Sequence, residues 1–111
     1  MTETAKKYLS DIQTAITLIE EFTLEILHFN DYVSDRKTQS AVERQLAIIG
    51  EAINRLKQTS PDVILMHDVQ IISFRNRLIH AYDAIDNSIV WAVLKNHLPL
   101  LKVEVNVFLE N

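Results

Sequence analysis

The chain contains no cysteine among its 111 residues, which excludes disulfide bonds and thiolate metal sites. Histidine and carboxylate sites are not excluded by composition. However, His28, His67 and His97 show no ligand spacing with one another. We therefore predict that the protein holds no metal and needs no cofactor.

Glycine and proline are almost absent, with one and two copies. Because these residues supply most tight turns, their scarcity predicts helices joined by short loops. No run of 18 apolar residues occurs, and the N-terminal MTETAKKYLSDIQ lacks the apolar stretch of a signal peptide. We expect a cytoplasmic protein that does not enter a membrane, with a single domain over residues 1–111.

Basic residues are in the minority, since 11 Lys and Arg face 15 Asp and Glu for a net charge of -4. This balance argues against a general nucleic-acid binder, which needs many cations to neutralise phosphates. The distribution is uneven, because residues 36–77 carry seven basic and four acidic residues and the remainder carries four and eleven. The basic middle is either a set of solvated helix faces or a local phosphate-binding patch.

Apolar residues recur at steps of three and four in the first half of the chain, as on one face of a helix. The first stripe predicts a helix over about residues 4–29, after which the polar NDYVSDRK interrupts the pattern. Ser34 or Asp35 is the expected cap of a second helix, which should end near Gln58.

The second half is also predicted to be helical. Ser60 and Pro61 indicate a short helical turn that leads into a segment over about residues 68–81. Pro99 interrupts the last stripe and predicts a kink, and the alternation in VEVNVF fits a strand as well as a helix end. Trp91 belongs to an apolar cluster and is expected in the core rather than as a base-stacking platform. The predicted fold is all-α, an antiparallel bundle of four to five helices.

One short stretch, RNRLIHAYD, combines unusual residues inside an apolar helical pattern. On a helical projection Arg75 lies within the apolar arc, whereas Asn76 and His80 share a polar strip four residues apart. Tyr82 returns beside Arg75 if the helix continues. A guanidinium in such a position is costly unless it is paired or faces a cleft.

Two interpretations of this stretch are open. Arg75 can form a buried ion pair with Glu51 or Glu43, with His80 and Tyr82 as partly buried residues at a helix end. Geometry alone favours this interpretation, because structural ion pairs are commoner than active sites. Alternatively, the same side chains line a functional cleft.

The order of Arg75, Asn76, His80 and Tyr82 resembles the signature of the HEPN ribonuclease superfamily and, more closely, of the HepT toxin family. The segments AVERQLAIIGEAINRL and IVWAVLKNHLPLL also resemble that family. The likeness extends over about residues 6–109 and includes three ordered segments.

The resemblance implies a helical homodimer that cuts RNA without a metal at a cleft shared by both subunits. Arg75 would hold the phosphate oxygens, His80 would transfer protons, and Asn76 would orient His80 or donate to phosphate. Glu51 and Arg77 are the supporting residues. The long apolar stripes favour a dimer independently, since a chain of this size has only a modest core.

The resemblance also implies a partner, a minimal nucleotidyltransferase antitoxin that transfers AMP to Tyr82 and so blocks the RNA site. Without the resemblance, Tyr82 would be read as a packing residue with a hydrogen-bonded hydroxyl. The alternative function is a non-catalytic helical subunit that binds substrate or nucleotide for a separate nucleotidyltransferase. The acidic balance favours this alternative, and the retention of all four signature residues favours the ribonuclease.

Overall fold

A computed structural model describes residues 1–68, 71–74, 76 and 85–110. All regular structure in these ranges is helical, which confirms the predicted fold class. The elements are α1 (Glu3–Phe22), α2 (Phe29–Val33), α3 (Arg36–Thr59), α4 (Asn87–Ala92), a π-helical turn π1 (Val93–His97) and α5 (Leu98–Glu110). Residues 71–74 and 76 are helical as well. None of these described helices has the length and apolar character needed to cross a bilayer.

The centre of the core lies between α1 and α3, which form the most extensive helix pair, and α5 packs against α1. Leu9 and Ile12 of α1, Ile49 and Ile53 of α3 and Leu101 of α5 are fully buried. All of these except Leu9, which lies three residues before the first stripe, belong to the predicted three-four stripes. The periodicity thus identified the buried face of each helix, although Phe22 at the end of α1 is 39% exposed.

The first helix ends at Phe22, about two turns before its predicted end. Both the backbone N–H and the hydroxyl of Thr23 donate to the carbonyl four residues earlier, at 3.0 and 2.8 Å. A second helix then begins where the Asp31 carboxylate accepts the His28 N–H at 3.2 Å. Ile26 still packs against the core from the intervening loop. The apolar pattern therefore continues through the break, and periodicity could not reveal it.

The stretch NDYVSDRK, expected to interrupt the helical pattern, contains most of α2, whose Tyr32 is fully buried. The cap of the next helix is confirmed as Asp35, which accepts hydrogen bonds from the Thr38 N–H at 3.0 Å and its hydroxyl at 2.7 Å. These bonds hold the pKa of Asp35 below its usual value. That helix ends at Thr59, one residue from the prediction.

The short helix predicted at Ser60 and Pro61 is absent from the described residues 60–68, which form turns. Ser60 ends α3 instead of starting a new helix, because its N–H donates to the Leu56 carbonyl at 2.8 Å. Val63 and Leu65 are buried and draw the following segment onto the core. The prediction was wrong because Ser-Pro suits either end of a helix.

The irregularity predicted at Pro99 is a π-helical turn just before it, in which the Leu98 N–H bonds to the Val93 carbonyl. Proline has no N–H to continue an α-helical ladder, and the wider turn accommodates this loss within a continuous helix. Beyond Pro99 the chain is α-helical to Glu110, so the strand alternative for VEVNVF is wrong.

Trp91 packs against the core as expected. Its ring lies 5.9 Å from that of Tyr32 and 6.2 Å from that of Phe29, and the Lys95 ammonium sits 4.6 Å from its centre. These contacts place Trp91 in an aromatic cluster at the edge of the core, as expected for a packing residue.

Candidate functional site

Most of the predicted site lies outside the described residues, namely Arg75, Arg77, His80 and Tyr82. Asn76 is described, and it lies on the surface of the helical segment that precedes His80 and Tyr82. The residues that anchor this segment are described as well, and they determine where it begins.

The segment has a buried face and an exposed face. Ile71 and Phe74 are 0% and 3% exposed, whereas Ser73 and Asn76 face solvent. This division confirms that Asn76 belongs to a polar strip opposite the apolar contacts. An exposed amide can donate to a phosphate oxygen of a bound nucleic acid.

An ion pair stands at the start of the segment. Asp68 is only 4% exposed, and its carboxylate lies 2.9 Å from the ammonium of Lys57 in α3. The Asp68 carbonyl accepts the Ile72 N–H at 3.0 Å, as in the first turn of an α-helix. Lys57 thus ties the beginning of the segment to the central helix pair. This pair was not predicted from the sequence, although an acidic residue directly before an apolar run is a common feature of helix starts.

A second anchor comes from α5. The two carboxylate oxygens of Glu104 accept the backbone N–H groups of Met66 and His67, at 2.6 and 2.8 Å. Residues 66 and 67 precede Asp68 directly, so three consecutive residues are fixed by side chains from two helices. No local pattern could have revealed Glu104, because it lies 37 and 38 residues from its donors.

Glu51, a predicted supporting residue, accepts a hydrogen bond from the Arg55 side chain at 3.0 Å. Both side chains are about half exposed, so this pair is solvated helix support of small energetic value. The alternative acid, Glu43, is partly buried, and burial raises its pKa. Either acid was a predicted partner of Arg75. Arg75 lies outside the described residues, so this pairing stays a prediction.

The predicted basic middle includes an open groove of about 750 Å³ beside α1 and α3. Its charged lining residues are Lys7, Asp11, Arg44, Glu51 and Arg55. Lys7 pairs with Asp11 at 2.8 Å, as Arg55 does with Glu51 at 3.0 Å. Most of its cations are therefore already neutralised, which favours the interpretation as solvated helix faces for this groove.

Within the ranges described, no three His, Asp or Glu side chains cluster closely enough to hold a metal ion. His28 is exposed and His97 is half-buried. Because His80 lies outside those ranges, metal independence stays a prediction.

Comparison with known proteins gives a consistent family. A family model described as "Ribonuclease HepT-like" matches residues 12–108. The chain is 43% identical over 106 residues to "Probable ribonuclease HepT" of Thermococcus cleftensis, covering 92% of this chain and 93% of that protein. It is 33% identical to a candidate RNase of Methanocaldococcus jannaschii, covering 92% and 94%. A candidate RNase of Caldanaerobacter subterraneus is 31% identical, covering 97% and 96%.

No solved structure gives a significant match. The family model and the relatives nevertheless span nearly the whole length, and they agree with the resemblance carried by the Arg75 to Tyr82 stretch. The chain belongs to the HepT-like ribonuclease family.

Proposed function

We propose that the protein is a metal-independent endoribonuclease. The observation that carries the proposal is the 43% identity, over more than nine-tenths of both chains, to a protein named as a ribonuclease. The sequence retains the residue types that the reaction needs, namely Arg75, Asn76 and His80. The exposure of Asn76 supports the proposal, since a group that contacts RNA must be accessible.

The reaction is an intramolecular transesterification. His80 removes the proton from a ribose 2'-hydroxyl, and the 2'-oxygen attacks the adjacent phosphorus. The bond from phosphorus to the 5'-oxygen breaks, and that oxygen receives a proton from the His80 imidazolium as it leaves. The products are a 2',3'-cyclic phosphate and a 5'-hydroxyl.

Arg75 contributes electrostatic stabilisation of this step. A guanidinium stays charged at all cellular pH values and presents donors that match two phosphate oxygens, so it stabilises the negative charge that builds up in the transition state. Asn76 orients His80 or donates a further hydrogen bond to phosphate. Glu51 and Arg77 are the residues proposed to support Arg75 and His80 in this step.

The proposal includes a homodimer that brings Arg75 and His80 of both subunits to one cleft. Leu100, Val103 and Val107 of α5 support association, because they are 47%, 61% and 51% exposed and recur at helical spacing on one face. A second copy of the chain would cover this face.

The dimer is tested by introducing a charge on that face. Val103→Glu should sediment as a monomer at micromolar concentration and lose cleavage, since each cleft needs two subunits. Gln58→Glu adds the same charge at an exposed position of α3 and is the matched control. A monomeric wild type with full activity would contradict the dimer without affecting the cleavage proposal.

The proposed biological setting is a toxin–antitoxin pair. A minimal nucleotidyltransferase antitoxin transfers AMP to Tyr82, which adds a negative charge and bulk beside Arg75. Tyr82→Phe should keep most cleavage activity, because a neutral phenol is a poor base. The antitoxin should modify the wild type and fail to neutralise Tyr82→Phe. Mass spectrometry of the co-expressed pair distinguishes AMP on Tyr82 from inhibition by binding alone.

The cleavage proposal is tested with total cellular RNA in excess EDTA. The wild type should cut and leave cyclic phosphate ends, whereas Arg75→Ala and His80→Ala should lose about 100-fold or more in kcat while keeping their helical content. Arg36→Ala and His28→Ala replace the same residue types at exposed positions and are the matched controls. Activity that disappears in EDTA and returns with magnesium would overturn the mechanism.

A further outcome would favour the alternative function. A wild type that cuts no RNA but binds nucleotide or a nucleotidyltransferase would be a non-catalytic binding subunit. The excess of acidic residues over the whole chain is the observation that favours it.

A further inference from the structure

The connection between α3 and the helical segment at residues 71–74 and 76 is held by an unusual contact from a distant helix. Glu104 of α5 presents one carboxylate oxygen to the Met66 N–H and the other to the His67 N–H. Hydrogen bonds to a charged acceptor are shorter and stronger than neutral ones, and these measure 2.6 and 2.8 Å. One side chain therefore fixes two successive peptide groups.

Apolar packing contributes little to holding this part of the connection. The side chains of Ile64 and Met66 are 65% and 75% exposed, so they contribute little packing. Val63 and Leu65 are buried in alternation with them and attach the earlier part of the connection to the core. Without Glu104, the peptide groups of residues 66 and 67 would lose their fixed acceptor.

The residues directly after this contact lead to the predicted site. Asp68, the next residue, pairs with Lys57 and accepts the Ile72 N–H that starts the helical segment. Arg75 lies seven residues beyond Asp68 in the sequence. A displacement at residues 66–68 would move the start of the helical segment that contains residues 71–74, and we expect it to alter the placement of the residues proposed to do the chemistry.

We propose that Glu104 is a positioning residue for RNA cleavage: by holding the Met66 and His67 peptide groups, it sets where the segment carrying Asn76 begins and thereby aligns Arg75 and His80. The inference rests on the proposed ribonuclease function. Glu104 does not touch substrate in this role. It acts through the backbone, so its substitution should lower kcat and leave the affinity for RNA unchanged.

Three substitutions separate geometry from charge. Glu104→Gln keeps the length of the side chain and one good acceptor oxygen, but turns an amide NH₂ toward the second N–H. Glu104→Asp keeps the charge and shortens the side chain by one methylene, so it cannot reach both donors. Glu104→Ala removes both bonds. Glu110→Gln makes the same charge change at an exposed site of the same helix and is the matched control.

If Glu104 positions the segment, kcat should decrease according to how well the side chain at position 104 reaches the two N–H groups. Glu104→Gln should therefore be impaired less than Glu104→Asp and Glu104→Ala. For Ala we expect a loss of about 10- to 100-fold, the scale that a misplacement of about 1 Å produces. The dissociation constant for an RNA carrying a 2'-O-methyl group at the cleaved position should stay within about twofold of wild type. Glu110→Gln should behave as wild type in both measurements.

Amide hydrogen exchange gives a readout that is independent of activity. Exchange at Met66 and His67 should accelerate in Glu104→Ala, and the amide resonances of residues 71–76 should shift. All assays are run well below the melting temperature of each variant, so that a lower kcat does not result from unfolding. Asp68→Asn combined with Glu104→Gln should be non-additive in kcat, because both act on the same segment.

Several outcomes would overturn the proposal. An unchanged kcat in Glu104→Ala despite faster exchange would show that the contact is structural only. If Glu104→Asp is as active as wild type and Glu104→Gln loses activity, the negative charge at position 104 acts on RNA directly, and positioning is not its role. If the wild type cuts no RNA, the proposed function fails, and the amide resonances of residues 71–76 still decide whether Glu104 sets that segment.

Discussion

The α1 and α3 pair and the end of the connection, at residues 66–68, are held in opposite ways. The helix pair is joined by many buried apolar side chains, such as Ile12 and Ile53, each contributing a share of the contact. Val63 and Leu65 bury the earlier part of the connection, but its end depends on the carboxylate of Glu104 and the ion pair of Lys57 with Asp68. Apolar contacts are redundant and non-directional, whereas each polar contact has a single geometry.

From this difference we expect the helix pair to contribute stability and the polar contacts to place the site. Substitution in the helix pair should lower the free energy of unfolding without moving the proposed site. Substitution at the polar contacts should displace the start of the segment that leads to Arg75. Variants in each region test this difference, and their expected effects range from several kcal/mol to a slight change in melting temperature.

Ile53→Ala should produce the largest loss of stability. Ile53 is fully buried in α3, so truncation removes buried surface and leaves a cavity, at a cost of about 2 to 5 kcal/mol. Urea unfolding followed by circular dichroism gives this value, and the kcat of the folded fraction should match wild type. A folded Ile53→Ala protein with strongly reduced kcat would show that the helix pair also positions the site.

Lys57→Met should be more destabilising than Asp68→Asn. The first change leaves a carboxylate that is 4% exposed without its ion partner, at a cost of about 1 to 3 kcal/mol, whereas the second removes the buried charge itself. Both values come from urea unfolding, and the double variant should lie close to Asp68→Asn. Equal effects of the two single changes would mean that solvent already screens the pair through the exposed side of Lys57.

Asp35→Ala should lower the unfolding midpoint slightly by removing the cap of α3. The folded-state pKa of Asp35 is depressed, so its contribution is present above the unfolded pKa of about 3.9 and is lost as pH falls through the folded value. The difference in melting temperature between wild type and Asp35→Ala should therefore shrink on acidification. A difference that stays constant down to about pH 2 would show that the charge of Asp35 is not involved.

Glu43→Gln should have the smallest effect, and in the opposite direction. Burial raises the pKa of Glu43, so ionisation opposes folding, and stability is lost as pH rises through the folded value. The variant should therefore melt at a slightly higher temperature than wild type at about pH 7, with no difference below about pH 4. A lower melting temperature at neutral pH would reveal a cation that pairs with Glu43, as one interpretation of Arg75 requires.

The all-α class, the buried faces of α1, α3 and α5 and the Asp35 cap could be predicted from the sequence. Each of these depends on residues within a few positions of one another, where periodicity and capping chemistry act. The sequence also carried the family resemblance, because the order of Arg75, Asn76, His80 and Tyr82 is written in one short stretch. The roles of these four residues remain predictions.

Tertiary packing, by contrast, sets where a helix ends when its apolar pattern continues, as at Thr23, and how the chain passes Pro99. It also sets what anchors the segment before Arg75. Glu104 looks like an ordinary helix residue in the sequence, and its two donors lie in another part of the chain. Such contacts depend on how helices pack in three dimensions, since a carboxylate 37 residues away becomes a partner only after the core has brought α5 beside the connection.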